Sequence, residues 1–389
     1  MSIVLLVVGV LLFSGLILVH EWGHFITARR AGVEVEEFGL FFPPRLYKHK
    51  TKGGWLFTIN LLPVGGFVRL KGEHDSDTEP GTFGAASTWV KTKIMAAGVV
   101  MNLVTALVML TILAVIGIPK LIPNQFTVKR DTQLISQEVL IGYVEPGSPA
   151  AKAGLQPEDQ LNDISLPGYS PVSLENADKL PSITKNFAGK TVIVYYTRAG
   201  HLRQSRTTLL TAKAVAASQK SANPKGYLGI SPTQFTLQRS TWSAPVVAIG
   251  LSAQITVLTF QGLGHALAGL GSLIAGGVTG NTVARQHGQT SATAQIGGPI
   301  AIFAIMKSGS LLGYQFMLFI IAIISLTLAI MNILPIPALD GGRLWITLIA
   351  RAFRKPLSSG LEEALNLAGF VVLGILFILI SIVDVKRYF

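Results

Sequence analysis

The stretch His20-Glu21-Trp22-Gly23-His24 sets two imidazoles four residues apart with a carboxylate beside them. On a helix, residues four apart share one face at about 5–6 Å between Cβ atoms, close enough for both rings to hold one Zn²⁺. Glu21 then projects beside the metal, where a glutamate acts as general base toward water. The pattern, H-E-x-x-H, is short enough to arise by chance or as polar residues on a pore-facing helix. Its setting argues for chemistry. It lies near the end of the apolar run Ile3 to Ala28, which is of spanning length. An ionisable side chain inside a span costs about 2.5–3.5 kcal/mol on insertion scales, so three such groups within a turn and a half require compensation, and a metal supplies it.

Two histidines leave a catalytic zinc one protein ligand short, since such sites take three plus water. The chain has no cysteine, which excludes a disulfide framework, a thiolate ligand and a cysteine nucleophile. The third ligand is therefore His, Asp or Glu. No carboxylate occurs between Asp178 and Asp340, and Asp340 sits in NILPIPALDGGRLW at the end of an apolar run. His49, His74 and His201 lie in polar segments and His287 in a loop, while His265, in an apolar stretch, is the rival. The alternative for Asp340 is a helix N-cap or turn residue before Gly341 and Gly342.

These residues need elements that bring them to one depth. Of the 389 residues 50% are hydrophobic and 13% charged, a balance that excludes an ordinary soluble enzyme and calls for several membrane spans. The net charge of +12 is spread over several loops without a nucleic-acid-binding motif, so it fits anionic membrane lipid and membrane orientation, with no nucleic acid as partner. Spans are expected at Ile3–Ala28, Ile94–Ile118, Gly313–Ile333 and Leu365–Val383, the third ended by Pro335 and Pro337. The first run lacks a basic start and ends at Arg29 and Arg30, the flanks of a retained span with its N-terminus outside. Arg29 to Lys93 carries ten Lys and Arg, as a cytoplasmic loop should. His20 and His24 then lie toward the cytoplasm, and Asp340 reaches that side only if the apolar stretch Ala244–Gly277 does not cross. Arg343, Arg351, Arg354 and Lys355 favour the same side. The expected fold is a polytopic α-helical membrane protein with four transmembrane helices, both termini outside, and an interfacial or re-entrant helix at Ala244. Residues 1–118 and 243–389 form the membrane parts, and 119–242 a β-rich insert with runs such as VLIGYV and KTVIVYYTR.

HEWGH in the first span and NILPIPALDG in the third resemble the two signatures of the site-2 protease family of intramembrane zinc metalloproteases. The resemblance covers essentially the whole chain. LLPVGGFVRLKGE (Leu61–Glu73) is similar to the family's membrane-associated β-hairpin, and IGGPIAI (Ile296–Ile302) to its segment before the third span. One departure is AAGVVMN (Ala96–Asn102), where relatives commonly have proline in place of Val99, which bears on local helix geometry. IGYVEPGSPAAKAGLQPEDQLNDI (Ile141–Ile164) resembles a single PDZ domain of the bacterial protease type, expected on the extracytoplasmic side and restricting access without performing chemistry.

The resemblance implies Zn²⁺ held by His20, His24 and Asp340, with Glu21 as the base. It implies cleavage of single-span membrane proteins, such as anti-sigma factors trimmed by an earlier protease or remnant signal peptides, in a bacterial plasma membrane. It also implicates Asn332 in substrate handling. A helical substrate has its carbonyls occupied and must be extended before attack, and an edge strand holds an extended segment by β-addition. Gly66, Phe67, Val68, Arg69 and Leu70 are the candidate edge. Two other classes compete: a PDZ-bearing membrane adaptor, which leaves Glu21 unexplained, and a metal-binding membrane protein or transporter without proteolysis, which should show several polar spans.

Overall fold

An apolar run without proline satisfies its own backbone as a helix, the condition for crossing lipid. The computed structural model describes residues 2–73, 77–219, 224–279, 298–310, 312–353 and 359–388. Among them are five helices long and apolar enough to cross a membrane. In chain order the elements are α1 (Ser2–Arg30), β1 (Val35–Lys50), β2 (Leu56–Leu70), α2 (Thr88–Ile116), β3 (Ile118–Pro119), β4 (Gln133–Val144), α3 (Pro149–Lys152), β5 (Gln160–Ser165) and β6 (Val172–Ser173). They continue with α4 (Leu180–Asn186), β7 (Thr191–Arg198), β8 (His201–Thr208), α5 (Ala212–Ser218), β9 (Ile230–Arg239) and α6 (Ala244–Thr279). The last are α7 (Pro299–Gly309), α8 (Tyr314–Ile333), α9 (Asp340–Ala352) and α10 (Ser359–Tyr388). His74, His287, Arg354, Lys355 and the loop expected at Gly280–Gln295 lie outside the described residues.

The chain divides into two compact units. The β-rich unit takes in residues 1–5, 112–247 and 309–316, so it includes the connection between α7 and α8 as well as the whole of the expected insert. Its sheet has the order β3-β9-β4-β5-β7-β8, with β6 on β5. β7 alternates as a half-buried strand must, with Val192, Val194 and Tyr196 in the core beside Val139, Ile141 and Leu161. Leu140, Phe235 and Leu237 pack with Leu312 and Phe316.

Asp131 of this unit anchors the start of α6, accepting four hydrogen bonds of 2.5–3.0 Å from the backbone and hydroxyl groups of Thr241 and Ser243. Desolvation acts to raise its pKa, but these bonds outweigh it and push the carboxyl down to about 2. A depressed folded-state pKa contributes stability above the unfolded value near 3.9 and loses it as pH falls toward 2. Asp131→Ala is therefore expected to lower the thermal midpoint in detergent at neutral pH, with the gap to the parent closing between about pH 4 and 2.

The second unit, residues 6–111, 248–308 and 317–389, carries the remaining helices. Ser87 opens α2, its hydroxyl accepting the Val90 N–H and its carbonyl the Lys91 N–H. α2 then runs unbroken past Val99, so the departure noted in the sequence leaves no interruption. α6 is one 36-residue helix, so the re-entrant form of this segment is corrected: no turn breaks it, and Ala244–Gly269 has the length and hydropathy of a span. At the start of α7 the N–H groups of Gly298 and Ala301 both donate to Asp384 Oδ2 of α10 at 3.0 Å, the cap a helix N-terminus needs.

β1 and β2 pair antiparallel, but both bend, and the register resolves them into four segments. Phe38 pairs with Val68 on one side and Phe57 on the other, while Tyr47 to Lys50 fold back on Ile59 to Leu56. Gly66 to Leu70 thus forms an edge, pairing among the described residues with Val35–Leu40 alone. Glu37 is buried in this sheet, 2.9 Å from Arg45 and 2.7 Å from Arg69, and accepts the Thr58 hydroxyl at 2.7 Å. Each partner is needed, because a buried carboxylate stripped of its cations is strongly destabilising.

Candidate metal centre

The helical period of α1 puts His20 and His24 on one face, and their Nε2 atoms lie 3.2 Å apart. Asp340 Oδ2 lies 2.8 Å from His20 Nε2 and 3.1 Å from His24 Nε2. Ligands at about 2.0–2.1 Å from a tetrahedral zinc are about 3.3 Å from one another, so these three atoms have the spacing of three vertices around one ion. They are the group of His and carboxylate side chains among the described residues that could hold a metal. His265, the rival ligand, is exposed on α6 and is not in that group.

The far ring nitrogens bear out the fit. His24 Nδ1 donates to the Ile94 carbonyl at 2.7 Å, and a neutral ring that spends its proton there keeps the Nε2 lone pair for a metal. His20 Nδ1 lies 3.2 Å from the amide of Asn102 on α2. The Asn102 Oδ1 is buried with no hydrogen-bond partner. An amide has the same shape in either orientation, and the one that turns Oδ1 to the ring accepts an Nδ1–H, freeing His20 Nε2 as well. Ser325 of α8 donates to the Asn102 carbonyl at 2.8 Å and holds this residue in place.

A gap in α2 leaves space beside the two rings. A Cβ on Gly98 would stand 2.4 Å from His24 Nε2 and 2.6 Å from His20 Nε2, so only glycine leaves the space between the rings and α2 open. Asp340 is brought in by a second close approach. Pro335 and Pro337 end α8, and α9 begins at once, its Gly342 so near the Ile336 carbonyl that a Cβ would lie 2.2 Å from that oxygen. The N-cap of α9 is Leu339, which makes no side-chain cap, and the Asp340 carboxylate turns to the histidines; the alternative of a capping aspartate is thereby excluded.

Glu21 lies beside this group. Together with His24, Asp340, Val68, Leu70, Glu73 and Arg343 it lines a cavity of about 110 Å³, and the Val68 backbone N–H faces its carboxylate. Gly66 is against it too, a Cβ there lying 3.2 Å from Glu21 Cγ. The edge segment expected from the sequence therefore runs past Glu21. Within it Val68 and Leu70 line the cavity and Phe67 packs over Gly39, but the side chain of Arg69 is taken by Glu36 and Glu37. Asn332 sits one residue from the end of α8, partly exposed, its side chain making no hydrogen bond among the described residues, so it caps nothing there.

The residues that sequence reasoning passed over are Gly98, Asn102, the Ile94 carbonyl, Ser325, Glu73 and Arg343. Asn102 alone carried a signal, as the one polar amide in the apolar part of α2.

Over residues 8–376 the chain matches peptidase family M50. A Clostridium perfringens protein provisionally named a zinc metalloprotease is 29% identical over 381 residues, 98% of this chain and 98% of its own length. A Clostridium acetobutylicum protein of the same provisional name is 28% identical over 389 residues, covering 99% of this chain and 98% of its own. An Enterococcus faecalis protein provisionally named protease eep is 26% identical over 431 residues, with 98% of both chains covered.

Proposed function

The chain belongs to peptidase family M50 and is a zinc metalloprotease of multi-pass membrane form, and from that premise we propose that it cuts single-span membrane proteins within or near their transmembrane helix. The observation that carries this reading is the convergence of His20, His24 and Asp340 beside Glu21 and an open strand edge.

His20, His24 and Asp340 are assigned as the ligands. Zinc supplies, when bound, a Lewis acid that makes water acidic enough to lose a proton near neutrality. Glu21 accepts that proton on its carboxylate and returns it to the departing amide nitrogen. His24 and His20 keep their tautomers through Ile94 and Asn102. The Gly66–Leu70 edge receives the substrate as an added strand, which keeps its scissile carbonyl free of intrahelical bonds and level with Glu21. The unbonded amide of Asn332 offers donors and an acceptor to the same extended backbone.

The meeting of Asp340 with the end of α1 supports four crossings. α1 and α8 must run in the same direction to bring their C-terminal ends to one depth, so the chain between α2 and α8 starts and finishes on one face. α6 and the 11-residue α7, about 16 Å long, together make no net crossing on this reading. The face opposite the metal centre is assigned as extracytoplasmic, in a bacterial plasma membrane.

We read the β-rich unit as a PDZ-like domain on that outer side. Beyond β3, which pairs only near Gln238, β9 keeps an open edge among the described residues. The backbone N–H groups of Gly226 to Gly229 make no backbone hydrogen bond among them either. Beside that loop lies a cavity of about 220 Å³ lined by Leu180, Thr184, Val215, Tyr227 and Leu228, features that suit a peptide C-terminus. Anti-sigma factors already trimmed outside, and remnant signal peptides, are the substrate classes assigned.

Glu21→Gln separates this reading from an adaptor or a metal-binding membrane protein. The variant is expected to keep about one zinc per chain while cleavage of a reconstituted single-span substrate falls about 10²–10⁴-fold, the usual contribution of a general base. Unchanged cleavage would remove Glu21 from the mechanism.

A further inference from the structure

Arg343 stands three residues after Asp340 on α9, and its guanidinium reaches to the loop that follows β2. Its Nη1 lies 3.2 Å from Glu73 Oε2, its Nη2 donates to the Glu73 carbonyl, and its Cζ lies 4.9 Å from the centre of the Phe83 ring. The other carboxylate oxygen of Glu73 accepts the Leu70 N–H at 2.8 Å. One chain of contacts thus joins the turn that bears Asp340 to the last residue of the strand edge. Leu70 and Phe83 are buried in a cluster with Ile94, Met95 and Leu344, and the Ile94 carbonyl is the partner of His24. Arg343, Glu73, Phe83 and Leu70 line the same cavity as Glu21, His24 and Asp340.

The Arg343 and Glu73 side chains are 34% and 35% exposed, so the ion pair by itself adds little stability. Its geometry is the informative part. A planar guanidinium bonds the carboxylate and the carbonyl of one residue while lying near an aromatic face, which fixes Glu73 in place; a lysine ammonium, a single point charge, does not. We propose that Arg343 is a positioning residue: through Glu73 it holds the Gly66–Leu70 edge at a set distance from the metal centre, and so sets how well an extended substrate binds. This rests on the reading of that edge as the substrate strand. Neither Arg343 nor Glu73 bonds a ligand donor atom, so the metal does not depend on them, whereas an edge that is no longer held in place must be ordered before it can pair with an extended substrate, a cost that weakens binding.

The test uses the full chain in detergent with a single-span substrate. Arg343→Gln and Glu73→Ala are each expected to lower kcat/KM about tenfold or more, chiefly through KM, with one zinc per chain retained. Arg343→Lys should not restore the loss, and the double variant should be no worse than the more impaired single one, because both break one link. Loss of zinc in Arg343→Gln, parental kinetics in Glu73→Ala, or fully additive losses would each overturn the proposal. A photoreactive phenylalanine analogue at position 67, in the Glu21→Gln background, tells the two readings apart. A substrate adduct weakened by Arg343→Gln supports the link, and one unchanged by it overturns the link alone. Absence of any adduct removes the substrate strand itself and this proposal with it.

Discussion

Gly98→Ala should empty the metal centre while leaving the helix intact. Alanine is the better helix former by about 0.8–1 kcal/mol, so α2 itself gains from the change. The added methyl, however, would sit 2.4–2.6 Å from both imidazole Nε2 atoms, where no carbon fits. The rings have little room to retreat: His24 is tied through Nδ1 to Ile94 and His20 through Asn102 to α2. Zinc is expected to fall from about one per chain to a small fraction, with proteolysis lost in parallel and helical circular dichroism unchanged. The combination matters, since an unfolded variant would lose the helix signal as well. Full zinc occupancy in Gly98→Ala would mean that the ion is not held between the rings and α2.

Asp340→Ala is expected to act as strongly by a different route. Removing one of the three proposed ligands leaves two imidazoles 3.2 Å apart without the anion that would offset an ion's charge. Loss of even an outer partner of a metal ligand lowers affinity about 10–100-fold, and loss of a ligand should exceed that. Asp340→Asn keeps the volume and discards the charge, so it should recover little of the zinc. His265→Ala is the control, because its ring is exposed on α6 and outside the cluster; it should bind zinc and cleave as the parent does. Metal analysis of the three purified variants decides between the two assignments of the third ligand.

The sequence by itself singled out the residues proposed for the chemistry. His20 and His24 are four residues apart on one helix face with Glu21 next to the first of them, so their mutual geometry follows from the helical repeat alone, without tertiary contacts. Asp340 became the candidate third ligand for another reason: with cysteine absent and carboxylates missing between Asp178 and Asp340, few residues could complete such a site. The long apolar helices were legible because crossing lipid demands about 20 apolar residues, and these helices begin and end close to where serine, glycine and proline mark them. α6 shows the limit of such reading, since hydropathy measures apolar length and says nothing of which face of the membrane each end meets.

Only the tertiary structure decided what surrounds those ligands. Gly98 is one of 40 glycines, and nothing local distinguishes it; its role comes from two rings on another helix that occupy the space where its side chain would be. Asn102, Ile94 and Ser325 serve the histidines across a helix interface, and the hydrogen bonds that join them span 70 residues or more of chain. The bends that turn two strands into four segments, leaving Gly66–Leu70 as an edge, arise from pairing between distant parts of β1 and β2. Arg343 read as one more cytoplasmic positive charge, because in sequence a guanidinium shows its charge but not its partner. It took the approach of the Glu73 loop to α9 to give that charge a position and a direction.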